Sequence, residues 1–209
     1  MTTSLFWASN REQYAGFWSR FGAQILDGLI TLPFFALRLV LFRTKLTASF
    51  AFVPLLLFEF WFFVYLVYRY GGTPGKLIVG IRITSTNGEP LTFKQAVLRH
   101  SPSLVLGVLG AISIALALSQ VSDATYEGTS WLGRPRLIAV FAPHWTRYVS
   151  LLAQVWTWSE LVVMLTNPER RALHDFLAGT IVIKREYLAA GADPALPSSP
   201  DLSNAILKP

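Results

Sequence analysis

Arg20, Gln24, Asp27 and Thr31 follow one another at intervals of 4, 3 and 4 residues, so a helix carries all four on one face. A cation, an amide, a carboxylate and a hydroxyl in one row can hold a small ion or pass a proton. Two further carboxylates, Glu59 and Glu160, stand inside apolar stretches. A charged side chain at the centre of a bilayer costs about 2.5–3.5 kcal/mol on insertion scales, so such residues face a bundle interior and pair. Asp27 and Glu59 each lie about nine residues, roughly 13 Å of helix, from the same end of their stretches. Glu160 lies about six residues from that end, which sets three carboxylates at similar depth. Two readings of this set stand side by side. It is a polar cluster that fixes helix packing, or it is a site exchanging protons for a small cation. In the second reading Asp27 couples the two, and Gln24 with Glu59 or Glu160 completes the site.

Other chemistries find no support. The chain has no cysteine, which excludes disulfides, thiolate metal sites and thiol nucleophiles. His100, His144 and His174 are dispersed, with no helical metal-ligand spacing. No serine sits in a GxSxG elbow. The segment Gly71–Lys76 (GGTPGK) resembles a phosphate loop only superficially: the motif needs four residues before Gly-Lys, then Ser or Thr, then a helix. Here three residues separate Gly71 from Gly75, Leu77 follows the lysine, and a strand-like run comes next. No catalytic residue, metal site or cofactor is expected, and the protein is read as non-enzymatic.

The elements that must position these side chains follow from composition. Hydrophobic residues make up 53% of the 209 and charged residues 14%, where a soluble domain carries about a quarter charged. Net charge is +6, but the basic residues are scattered between apolar runs with no basic, aromatic-interleaved face, so no nucleic acid is expected. Four stretches have the length to cross a bilayer as helices: about 18–42, 49–68, 102–119 and 148–166. An even number puts both termini on one side. That side carries 12 of the Lys and Arg residues and the other carries 6, so both termini are expected in the cytoplasm. Trp18, Tyr65, Tyr68, Tyr70, Trp145 and Tyr148 fall near span ends, where amphipathic rings favour the interface.

Between the second and third spans, Leu77–Thr84 (LIVGIRIT) is strand-like. Asn87-Gly88 signals a tight turn, and Thr92 with Gln95 makes a capping box opening the helix FKQAVLRH. Thr180–Lys184 (TIVIK) is also strand-like. A lone short strand is unstable, so the two are expected to pair beneath the membrane. The fold class is thus an all-α membrane protein, four transmembrane helices with a small cytoplasmic β/α cap. Residues 1–13 form a cytoplasmic segment, 14–186 the membrane domain and 187–209 a Pro-, Ser- and Ala-rich tail expected to be disordered. Residues 120–147 are an external loop or interfacial helix. Ser103, Gly107, Ala111, Ala115 and Ser119 recur at every fourth position of the third span. Such a stripe lets another helix approach closely, within the chain or in a second copy that would make a homo-oligomer.

Three segments, YAGFWSRFGAQILDGLI, GGTPGKLIVGIRI followed by Gly88 and FKQAVLRH, and RRALHDFLAGTIVIK, closely resemble the RDD family of bacterial membrane proteins over roughly residues 14–184. The family is named for an arginine and two aspartates, which match Arg20, Asp27 and Asp175 here. The resemblance implies a multi-pass protein of the bacterial inner membrane; transport has been suggested for the family, and some members are linked to sodium/proton antiport. Arg20 and Asp175, both at the cytoplasmic edge, are candidates for a charge pair tying the first helix to the cap. The leading expectation is exchange of a small cation for protons. The alternative is a non-catalytic scaffold or accessory subunit whose charges serve packing and partner docking.

Overall fold

The computed structural model describes residues 11–192. The expectations for residues 1–10 and for the tail from 193 onward lie outside the described residues, while residues 187–192 belong to a final helix rather than to a disordered tail.

Four helical stretches are long and apolar enough to cross a membrane. The first span is α1 (Phe17–Leu41). The second is a segmented rod: α2 (Lys45–Phe50), α3 (Phe52–Phe60), one π-helical turn (Trp61–Tyr65) and α4 (Leu66–Tyr70). After the Gly71-Gly72 turn comes α5 (Pro74–Ile78). Leu77 and Ile78, read above as strand, therefore belong to a helix, and β1 is confined to Ile81–Ser85. Pro at the first helical position explains the difference, because its fixed φ starts a helix at no hydrogen-bonding cost.

The capping box of Thr92 and Gln95 is present and opens α6 (Phe93–Gln120). FKQAVLRH is not a separate piece: α6 runs unbroken through Pro102 to the far side. The outer segment forms two short helices, α7 (Asp123–Gly128) and α8 (Arg134–Phe141). The fourth span is α9 (Thr146–Thr166), followed by α10 (Leu173–Ala178), β2 (Thr180–Lys184) and α11 (Arg185–Ala192).

β1 and β2 pair antiparallel, with Ile83 opposite Val182 and Ile81 opposite Lys184. Tyr14 adds a bridge to Ile183, and the Ala15 N–H donates to the Val182 carbonyl at 2.9 Å. The strand at the end of the chain is thus flanked by β1 and by the residues just ahead of α1. Ile81, Ile83 and Val182 share one buried cluster with Ala15, Ala23, Val64, Val67 and Ala96, so sheet and spans have a common core. Elsewhere the spans turn apolar side chains outward, as with Leu29, Leu57, Leu151 and Val155. Such faces suit a solvent of lipid tails.

On the far side, α7 and α8 close over the end of α1. Tyr126 Oη and Arg134 Nη1 both donate to the Phe42 carbonyl, at 3.0 and 2.6 Å, satisfying an acceptor a helix end leaves open. Ser113 and Thr146 hydroxyls meet at 2.6 Å and join α6 to the start of α9.

Candidate functional site

Asp175 is the centre of the most connected polar cluster. It sits at the third position of α10, and its side chain reaches back to the Ala172 N–H at 2.9 Å, half of a capping box. That local bond fixes the carboxylate, and two long-range partners and the nearby Thr180 converge on it. Arg20 Nη1 from α1 donates to Oδ2 at 3.0 Å; Arg99 Nη1 from α6 and Thr180 Oγ1 from β2 donate to Oδ1. Asp175 is fully buried, and Arg20 and Arg99 are nearly so. Burial by itself would raise the Asp175 carboxyl, but the two guanidinium groups outweigh it and hold the group well below the usual carboxylate range.

The arginines are themselves anchored. Arg20 donates to the carbonyls of Ala15 and Arg170, at 3.3 and 2.7 Å. Arg171 spans α10 and β2, donating to the carbonyls of Thr180 at 3.1 Å and Asp175 at 3.3 Å while its guanidinium covers the Phe176 ring. The Arg20–Asp175 pair is therefore one edge of a larger cluster, because Arg99 is an equal partner. Sequence reasoning had counted Arg99 and Arg171 only as basic residues.

Asp27, about two turns from Arg20 along α1, has a different surrounding. Thr73 Oγ1 donates to its Oδ2 at 2.5 Å and the Gly75 N–H to its Oδ1 at 2.7 Å. Asp27 thus caps the first turn of α5, so GGTPG is the docking seat of the first span. Gly75 is needed there: a Cβ at that position would stand 2.2 Å from the Ala23 carbonyl oxygen and 2.8 Å from Asp27 Oδ1. Gln24, on the same turn as Asp27 in the helical pattern, is exposed.

Glu59 and Glu160 each pair with a histidine rather than with Asp27. Glu59 Oε1 is 3.0 Å from His100 Nε2, and the His100 ring stacks on Phe63 in the π-helical turn. Glu160 Oε1 is 2.5 Å from His174 Nδ1. Its other ring nitrogen lies 3.7 Å from Asp175 Oδ1, so two neighbours in sequence reach a common cluster from the first turn of α10. Burial, with Arg99 nearby, lowers the His174 pKa against the opposing pull of Asp175 and Glu160. The three span carboxylates thus meet three different sets of partners, and no group of three acids or histidines among the described residues is arranged to hold a metal ion.

Glu59 also borders a cavity of about 260 Å³ between α1, α2, α3 and α6, with Arg38 and Ser49 as its other polar walls. Gly107, Ala111 and Ala115 line the same cavity. The small-residue stripe therefore faces α3 of its own chain at these positions, where the sequence left a second copy as an equal candidate.

The model of the RDD family matches residues 14–179. No curated protein and no solved structure matches the chain.

Proposed function

The chain belongs to the RDD family, and from that premise we propose that it acts as a non-enzymatic scaffold or accessory subunit of the bacterial inner membrane, with both termini in the cytoplasm. One observation carries this reading: both signature aspartates have each carboxylate oxygen bonded to donors of the chain itself. Asp175 joins α1, α6, α10 and β2, and Asp27 seats α5 on α1. Carboxylates bonded in this way stabilise packing and leave little freedom for a cargo ion. The excess of basic residues on the cap side, 12 against 6, supports the orientation.

A specific observation also favours the second reading, exchange of a small cation for protons. Glu59 borders a cavity within the spans, bonds through Oε1 alone to His100 among the described residues, and stands two residues ahead of a π-helical turn. A carboxylate and an imidazole in contact can pass a proton between them, and π-helical turns recur at functional positions. In this reading Glu59, not Asp27, is the coupling residue. Transport through four spans calls for an oligomer, and with Gly107, Ala111 and Ala115 turned to α3 its contact uses another helix face.

Proton flux in proteoliposomes under an imposed pH gradient separates the two. Sodium, potassium, lithium and calcium are added in turn to the wild type, Glu59→Gln and Asp27→Asn. The scaffold reading expects no cation-dependent dissipation. Dissipation that persists in folded Asp27→Asn but disappears in folded Glu59→Gln establishes exchange instead.

A further inference from the structure

A pocket of about 430 Å³ opens where α1 begins and α9 ends, at the edge of the membrane on the cap side. Phe17, Trp18, Met164 and Leu165 supply its apolar wall, and Arg170 and Lys184 its polar one. Among the described residues that line it, none is acidic. Trp18 is 78% exposed at the level where indole rings favour the interface, and Leu165 beside it also faces outward. The apolar wall is therefore continuous with the lipid-facing surface.

The basic side is held by the fold. Arg170 has a positive φ of 50°, and its carbonyl is fixed by Arg20. This turns its guanidinium over Gly16, where a Cβ would stand 2.7 Å from Nη1. There it donates to the Tyr14 carbonyl at 3.4 Å and makes no ion pair with the described residues. Lys184 lies on β2 with Nζ 3.7 Å from Glu186 Oε1 and over the Tyr187 ring. A positioned guanidinium and an ammonium above an apolar wall that opens to the acyl chains match an amphiphile with an anionic head. Basic pockets between spans are favourable seats for phosphate head groups, and a guanidinium binds two phosphate oxygens at once.

We propose that this pocket is a binding site for an anionic phospholipid of the cap-side leaflet, its phosphate between Arg170 and Lys184 and an acyl chain along Trp18 and Leu165. The test is lipid titration of the full chain in neutral detergent, read by native mass spectrometry. Phosphatidylglycerol, phosphatidylcholine and inorganic phosphate are the probes. The wild type is expected to bind phosphatidylglycerol at least tenfold more tightly than phosphatidylcholine, with the preference shrinking as salt rises. Arg170→Gln with Lys184→Gln should abolish the preference, Arg170→Lys should retain part of it, and Arg136→Gln with Arg147→Gln on the far side should leave it intact. Lys184→Gln alone, which leaves the Arg170 turn in place, should weaken it severalfold and serves if the double variant does not fold. Equal binding of both lipids by the wild type overturns the proposal. So does a double variant that keeps the preference, or inorganic phosphate that competes fully with the lipid at equal concentration.

Discussion

Replacing Asp175 by Asn tests whether the buried charge cluster holds the spans to the cap. The amide is nearly isosteric, so packing changes little, but the anion that Arg20 and Arg99 share is removed. Both arginine side chains are close to buried, at 12% and 9% exposure, and neither can shed its charge in exchange. Breaking a buried ion pair by deleting one partner costs about 3–5 kcal/mol. Against a total stability of about 5–15 kcal/mol that is a large fraction. At roughly 2–4 °C per kcal/mol for a chain of this length, the melting temperature should fall by about 6–20 °C. Thermal unfolding in detergent at pH 7, followed by tryptophan fluorescence and by recovery of the monodisperse peak, reads this directly. Arg99→Gln should be destabilising like Arg20→Gln. Exchanging the charges, Arg20→Asp with Asp175→Arg, should fail to restore stability, because Arg99 would then face an arginine. An Asp175→Asn protein melting within about 2 °C of the wild type would refute the reasoning, as would rescue by the exchange.

Gly75→Ala forces a methyl group against the Ala23 carbonyl and Asp27 and should cost about 1–3 kcal/mol, seen as a lower melting temperature and reduced yield of folded protein. Asp27→Asn keeps one acceptor for two donors and should cost about 1–3 kcal/mol in the same assay. The two titrating groups of the cap act in the same direction, each over its own pH range. The folded pKa of His174 is lowered, so below 6.5 the unfolded chain binds more protons and stability falls as pH drops; His174→Gln should flatten melting temperature between pH 5 and 7, which are test conditions of about the imidazole range. The folded pKa of Asp175 is depressed from 3.8, so its contribution is complete above that value and is lost as pH falls through the depressed one; Asp175→Asn should lower the melting temperature at neutral pH and leave less of it to lose on acidification. In a chain with no native cysteine, Ile83→Cys with Val182→Cys should crosslink on mild oxidation, since the two are directly opposite; absence of the crosslink in folded protein counts against the register.

The spans were legible because twenty apolar residues in a row have few alternatives, and the capping box was legible because its two residues are three apart. Arg20 and Asp175 were legible only through the family motif, since 155 positions separate them. Arg99 carried no such signal: a basic residue seven positions after the N-cap Thr92 reads as a solvated face unless the docking of α10 is known. His100 and His174 were set aside for lacking metal spacing, yet each holds a carboxylate 41 or 14 residues away. Pairing of that kind depends on which helix faces meet, and no single segment records it. GGTPG shows a further limit. Its glycine and proline correctly announced a turn, but the need for Gly75 comes from the α1 backbone across the gap.

The strand β2 receives the chain just ahead of α1 on one side and β1 on the other, and Asp175 next to it receives Arg20 and Arg99. During synthesis Arg20 and Arg99 enter their helices long before their shared partner exists. The first helix can seat on α5 early, but a ribosome must finish nearly the whole membrane region before Arg20 finds its carboxylate. Every product truncated ahead of α10 therefore keeps two arginines and a strand edge without their partners at the membrane surface. Those exposed groups distinguish an unfinished chain from a finished one for any protease that patrols that surface.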